Sequence, residues 1–234
     1  MAPDLITFAS QAQMAVKVAD LIEAQLRAVL LEKGKAVFAV SGGSTPRALH
    51  GALAQRDLRW QDVTTVLVDE RWVPADQPGS NEAFVLETLR RDKAAHVPVV
   101  GLYKPAPAPQ AAVEAVAADV AKAAASIDIL HLGMGPDGHT ASWFPGADGL
   151  QEALTTADQV AAIAAKKSAV TGALTERMTL TLAAVKAARH IVLMLTGLEK
   201  RRVLETALEN GPIDALPVRA ILRARPDMWV CWAP

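Results

Sequence analysis

An aspartate and a histidine two residues apart in a glycine-rich run, Leu132-Gly133-Met134-Gly135-Pro136-Asp137-Gly138-His139-Thr140-Ala141-Ser142, are the residues of this chain best suited to move a proton. An imidazole with an ordinary pKa of about 6.5 can take a proton from water at neutral pH. Asp137 beside it could orient the ring, shift its titration, or only cap the turn. Lone histidines are often structural, but the glycine-rich loop and the nearby carboxylate favour His139 as a general base. Gly133, Gly135 and Gly138 form a formal GxGxxG. Asp137 would set a negative charge against a pyrophosphate there, so no dinucleotide cofactor is expected. Two ligands do not make a metal site, so no metal is expected either. No Gly-x-Ser-x-Gly elbow points to a serine nucleophile.

A second constellation, Ser41-Gly42-Gly43-Ser44-Thr45-Pro46-Arg47, has the composition of an anion-binding turn. Gly42 and Gly43 let backbone approach a ligand, Thr45 can N-cap, and Pro46 suits a first helical turn. Free N–H groups, the helix dipole and the hydroxyls of Ser44 and Thr45 would together favour a phosphate. A plain, well-capped strand-to-helix turn is the alternative. No Gly-Lys-Ser/Thr follows, so it is not a nucleotide P-loop.

Three charges, Asp69-Glu70-Arg71, stand at the end of the apolar run Val63 to Val68. If the strand continued, Asp69 and Glu70 would face opposite sides, so at most one would meet a given pocket. Arg71 could bind phosphate or neutralise a carboxylate, against the alternative of a solvated turn with a local ion pair. Arg177 and Lys200 lie where loops meet strands or helices; by default each is a solvated charge. His50, His96, His131 and His190 lack reactive surroundings and are expected at packing or surface positions.

The elements that must position these groups show in the apolar pattern. From about Ser10 to Glu32, Val16, Leu21, Ile22, Leu26, Val29 and Leu30 recur at near-helical spacing, with Gly34 as C-cap. Ala36 to Val40 then reads as a buried strand, and similar runs follow at Val63 to Val68, Ile127 to Leu132, Val160 to Ala164 and Ile191 to Leu195. Strands alternating with helices predict an α/β fold: a mostly parallel sheet flanked by helices on both faces, in a single domain over 1–234. Ligands of such sheets bind outside the carboxyl ends of the strands. The Pro-rich stretch Lys104 to Pro109 reads as a surface loop.

A formal net charge of −1 excludes a global field that would gather nucleic acid or an anionic membrane, so any bound anion must be held locally. The N-terminal residues lack the pattern of a signal peptide and no stretch has the length of an uncharged membrane span, which predicts a cytoplasmic protein. The single cysteine, Cys231 between Trp229 and Trp232, fits a reducing compartment and reads as buried packing.

Taken together, SGGSTPRAL, VDERWVP, Ser80-Asn81-Glu82, LGMGPDGHTASWFPG, RMTLTL and GLEKRRVL, in order from about Val37 to Leu204, resemble the 6-phosphogluconolactonase family. That family lies within a superfamily that includes glucosamine-6-phosphate deaminases. The resemblance implies a Rossmann-like α/β fold, hydrolysis of 6-phospho-D-glucono-1,5-lactone to 6-phosphogluconate in the oxidative pentose phosphate pathway, no cofactor and a monomer. It makes His139 the base that activates water, with Asp137 near it. Gly42, Gly43, Ser44, Thr45, Asp69, Arg71, Arg177 and Lys200 then belong to the sugar-phosphate pocket, and a backbone N–H of the glycine-rich turn is expected to stabilise the oxyanion. Deaminase relatives continue Asp-Gly-His into Phe-Asn-Glu, whereas here Thr140-Ala141-Ser142 follow, and Asp69-Glu70 precedes Arg71 where the deaminases carry an aromatic residue. A deaminase-like isomerase and a non-catalytic sugar-phosphate sensor remain the alternatives; the latter usually adjoins a DNA-binding segment, and none is visible.

Overall fold

The structure, a computed structural model, describes residues 3–43, 45–124 and 126–234. In chain order its strands and helices are β1 (Leu5–Thr7), α1 (Gln11–Lys33), β2 (Ala36–Val40), α2 (Pro46–Ala54), β3 (Val63–Leu67), β4 (Asp69–Arg71), α3 (Asn81–Thr88), β5 (Val99–Val100) and α4 (Val113–Ala123). They continue with β6 (Ile129–Gly133), α5 (Leu150–Thr155), β7 (Val160–Ala164), β8 (Glu176–Leu180), α6 (Leu182–Lys186), β9 (His190–Thr196), α7 (Leu198–Leu208), α8 (Val218–Ala224) and β10 (Trp229–Ala233).

Among the described residues seven strands form one sheet in the order β1-β10-β9-β6-β2-β3-β5, and every neighbouring pair is parallel. Parallel strands buried on both faces need nearly continuous apolar runs. Accordingly Phe38, Ala39 and Val40 of β2 and Leu193 and Leu195 of β9 are fully enclosed. Helices α1, α2 and α3 pack in succession as one group, and α5, α6, α8 and α7 as another. From β2 the chain builds outward through β3 to β5, then returns to lay β6 on the other side of β2. The loops leaving β2 and β6 therefore diverge at a topological switch point, where a crevice opens at the carboxyl edge.

The opening helix runs over the expected residues. Ser10 Oγ accepts from Gln13 N, and Gly34, at φ 75°, closes the other end. Val16 departs from the expected apolar stripe and is exposed, whereas Ala15, Val18 and Ala19 are buried in its place. The spacing from Val16 to Leu26 does not hold one face at 3.6 residues per turn.

Strands β4, β8 and β7 form a separate antiparallel sheet. The apolar run Val160 to Ala164 thus belongs to a small second sheet and not to the main one. Cys231 is buried in β10, and burial pushes its thiol up to about 12, so it stays protonated.

His131 is enclosed in β6 with both ring nitrogens lacking a hydrogen-bond partner among the described residues, and burial pushes its pKa down to about 4. The folded chain therefore holds it neutral, while the unfolded chain takes up a proton below about 6.5. Stability is lost as pH falls from that value toward 4. His50, buried on α2 and bonded through Nδ1 to Thr88 Oγ1, acts in the same sense, pushed down to about 3 first by burial and further by the charge of Arg47. In urea unfolding, the advantage of His131→Leu over the parent is expected to be about 2 kcal/mol greater at pH 5 than at pH 7. An equal difference at both pH values would disprove the titration.

Candidate active site

Beyond β2 the chain turns sharply under Gly42 and Gly43. A Cβ at Gly42 would stand 2.0 Å from Asn81 Oδ1, and Gly43 has φ 102°, so both positions call for glycine. Ser41 Oγ donates to the His131 carbonyl at 3.0 Å, tying this loop to β6 across the switch point. Pro46 opens α2 as expected. Thr45 holds the N-cap position in helical backbone geometry, but its side chain makes no capping bond, because an N-cap hydroxyl reaches the first N–H groups from extended backbone. Ser44 lies outside the described residues.

The turn after β6 closes on itself. Gly135 N donates to the His139 carbonyl at 2.9 Å and Gly138 N to the Gly135 carbonyl at 3.1 Å. His139 Nδ1 lies 2.5 Å from Asp137 Oδ1, which also accepts from His139 N at 3.2 Å. Partial burial pushes the Asp137 carboxyl up, but the hydrogen bonds and charge of His139 outweigh it and hold the group below its ordinary value. An ionised Asp137 makes Nδ1 the protonated nitrogen and leaves Nε2 with the lone pair. Phe144 packs on the imidazole with ring centroids 4.3 Å apart. Gly135 admits this arrangement, since a Cβ there would stand 2.1 Å from the imidazole. The N–H groups of Gly135, Gly138 and His139 are engaged inside the turn, which removes three of the groups expected to hold an oxyanion.

Asp69 and Glu70 diverge as the alternation of a strand requires. Asp69 is buried beside the crevice, where its Oδ2 accepts from Ser142 Oγ at 2.6 Å and its Oδ1 from Asn81 Nδ2 at 3.3 Å. Glu70, fully enclosed, accepts from Arg71 N, Asn81 N, Ser80 Oγ and Glu82 N at 2.6–2.9 Å, and so holds the start of α3. Burial raises its pKa against those donors. The tripeptide is thus no solvated turn.

Arg177, on β8, is 3% exposed. Its guanidinium donates to the carbonyls of Leu174 and Thr171 and lies over the Phe144 ring, 5.4 Å from its centroid. Burial pulls its pKa to about 10 against the opposing pull of Asp69, which leaves it charged at neutrality. Arg71 donates to the Gly79 carbonyl. Lys200 reaches in from the first turn of α7, its pKa lowered by burial against the pull of Glu199 and Asp137.

These groups share one cavity of about 240 Å³, lined by Gly42, Gly43, Thr45, Asp69, Arg71, His139, Arg177 and Lys200 among others. Asp137 does not line it and stands behind His139. Three cations against one lining carboxylate favour a small anion. Reading the residues singly missed Ser142, Phe144 and Asn81 as cavity neighbours; the run Ser80-Asn81-Glu82 at the start of α3 was the available signal for the last. Among the described residues no group of three or more His, Cys, Asp or Glu is arranged to hold a metal, and no helix is long and apolar enough to cross a membrane.

A parallel α/β sheet with a cation-lined cavity at its switch point and an aspartate-backed imidazole in the wall defines a protein that can act on a small anionic molecule. The family described as glucosamine-6-phosphate isomerases/6-phosphogluconolactonase matches residues 9–232. The 6-phosphogluconolactonase of Rhizobium meliloti is 39% identical over 237 residues, covering 100% of both chains. That of Pseudomonas aeruginosa is 36% identical over 230 residues, covering 98% of this chain and 94% of its own. The crystal structure of a 6-phosphogluconolactonase from Shewanella baltica superposes with a TM-score of 0.93 at 35% identity, covering 99% of this chain and 98% of that one. The chain belongs to the glucosamine-6-phosphate isomerase/6-phosphogluconolactonase family.

Proposed function

We propose that the chain is a hydrolase that converts 6-phospho-D-glucono-1,5-lactone to 6-phosphogluconate, with His139 as general base. The observation that carries this reading is an imidazole held by Asp137 in the same cavity as Arg71, Arg177 and Lys200. His139 Nε2 takes a proton from water as its oxygen attacks the lactone carbonyl. The tetrahedral oxyanion forms in a field of excess positive charge. When the ring C–O bond breaks, the imidazolium returns its proton to the departing ring oxygen. The Gly42 to Thr45 turn, Ser44 included, binds the phosphate with Arg71, Arg177 and Lys200, which keeps the reacting ring in register with the base. Asp69, fixed by Ser142 and Asn81, borders the sugar. A lactone carbonyl is electrophilic and water is the nucleophile, so this step needs no cofactor. All the groups it uses come from one chain, so a monomer suffices, and the cytoplasm is the proposed compartment.

The test is the loss of freshly generated lactone with and without protein, corrected for spontaneous hydrolysis, beside ammonia release from glucosamine 6-phosphate. Accelerated lactone loss without ammonia is expected. Ammonia with blank-level lactone decay would mean a deaminase; silence in both assays, with sugar phosphate still bound, would mean a binding module.

A further inference from the structure

Arg219, the second residue of α8, is 4% exposed, yet its hydrogen-bond partners among the described residues are all backbone carbonyls. Nη2 donates to Thr206 O at 2.7 Å, Nε to Ala207 O at 3.3 Å and Nη1 to Pro212 O at 3.0 Å. Its guanidinium lies against Gly211, where a Cβ would come within 2.6 Å of the planar group. Burying a guanidinium without a carboxylate is costly, and a helix end needs no such device, as Gly34 shows on α1. What the arginine adds is a link. Thr206 and Ala207 are in the last turn of α7, whose first turn carries Lys200, while the start of α8 grips the catalytic turn. Val218 N donates to the Gly138 carbonyl at 3.0 Å. Leu216 covers Gly138, its Cδ2 standing 2.4 Å from where a Cβ would be. Gly138, at φ 75°, sits between Asp137 and His139.

We propose that Arg219 is a positioning residue that locks the turn bearing His139 in register with the helix bearing Lys200. The proposal rests on the hydrolytic reading for its kinetic consequence, though not for its geometry. Phosphate held by Lys200 and a carbonyl addressed by His139 must keep a fixed separation, and an ångström of slip between α7 and α8 would spoil the attack while leaving phosphate binding intact.

Arg219→Met keeps the apolar stem and removes the fork. Assayed well below its melting temperature, it is expected to lose about 10- to 100-fold in kcat with KM changed less than about threefold. By NMR its Val218 amide exchanges faster and the His139 ring signals move, while those of α1 stay. These spectra judge the lock even if the parent protein proves inert toward the lactone, an outcome that would overturn the hydrolytic reading alone. Arg219→Lys, which keeps the charge but cannot span the three carbonyls with a planar fork, is expected to lower kcat in the same direction by a smaller factor, and it carries the test if Arg219→Met does not fold. Unchanged kcat with unmoved His139 signals would overturn the proposal and make Arg219 only a cap on α7.

Discussion

Replacing His139 by alanine is expected to lower the catalysed rate of lactone hydrolysis by about a thousandfold, within the range that a positioned general base supplies. Affinity for 6-phosphogluconate, measured by calorimetry, is expected to stay within about threefold, because the phosphate is held by cations on other elements. Asp137→Asn provides the companion measurement. An amide can no longer hold Nδ1 as a donor as firmly as a carboxylate does, so a smaller loss of kcat is expected there. Retention of more than about a third of the parental rate in His139→Ala would remove the imidazole from the chemistry.

The largest loss of stability is expected at Glu70. Both its oxygens are occupied, Oε1 by Arg71 N and Asn81 N and Oε2 by Ser80 Oγ and Glu82 N. Four donors require an acceptor on each side, so Glu70→Gln would turn an NH2 group toward two donors at a fully enclosed position. A cost of about 3 kcal/mol in denaturant unfolding is expected even for this isosteric change. Ser80→Ala removes one donor and is expected to cost about 1 kcal/mol. If Glu70→Gln were as stable as the parent, the account of Glu70 as acceptor for four donors would be wrong. Because Glu70 also fixes the start of α3, its loss is expected to loosen Asn81 and, through it, Asp69.

The opening helix and the strands β2, β3, β6, β7 and β9 are legible in the sequence for a local reason, whereas the short edge strands β1 and β5 and the strand β10 are not. The strands β2 and β6 are apolar runs that end in glycine-rich turns, and each turn carries its chemistry within a few residues. The second sheet was not legible. β4 is three charged residues, and its partner β8 lies more than a hundred residues on, with Asp69 opposite Thr179 and Arg71 opposite Arg177. No periodicity within a short window encodes such a pairing. For the same reason Arg177 reads as a solvated charge until β8 carries it under the loop from Thr171 to Leu174. Asp69 and Glu70 were rightly expected on opposite sides, but their burial depends on Ser142 and Ser80, which only the fold brings near. Arg219 gives no linear signal at all, since its partners are carbonyls, which every residue has.

Among the described residues the strand β1 has a single partner in the main sheet, and that partner is β10, with Leu5 beside Val230 and Thr7 beside Trp232. A ribosome adding about 5–20 residues each second needs roughly ten to fifty seconds to travel from one to the other. Through that interval the segment around Leu5 lacks its partner, and from the moment β9 emerges its edge toward β10 stays bare as well. The nascent chain therefore stays open along one side of its sheet until Trp229 to Ala233 emerge and insert between β1 and β9, and only then are both of those strands protected against pairing with another chain.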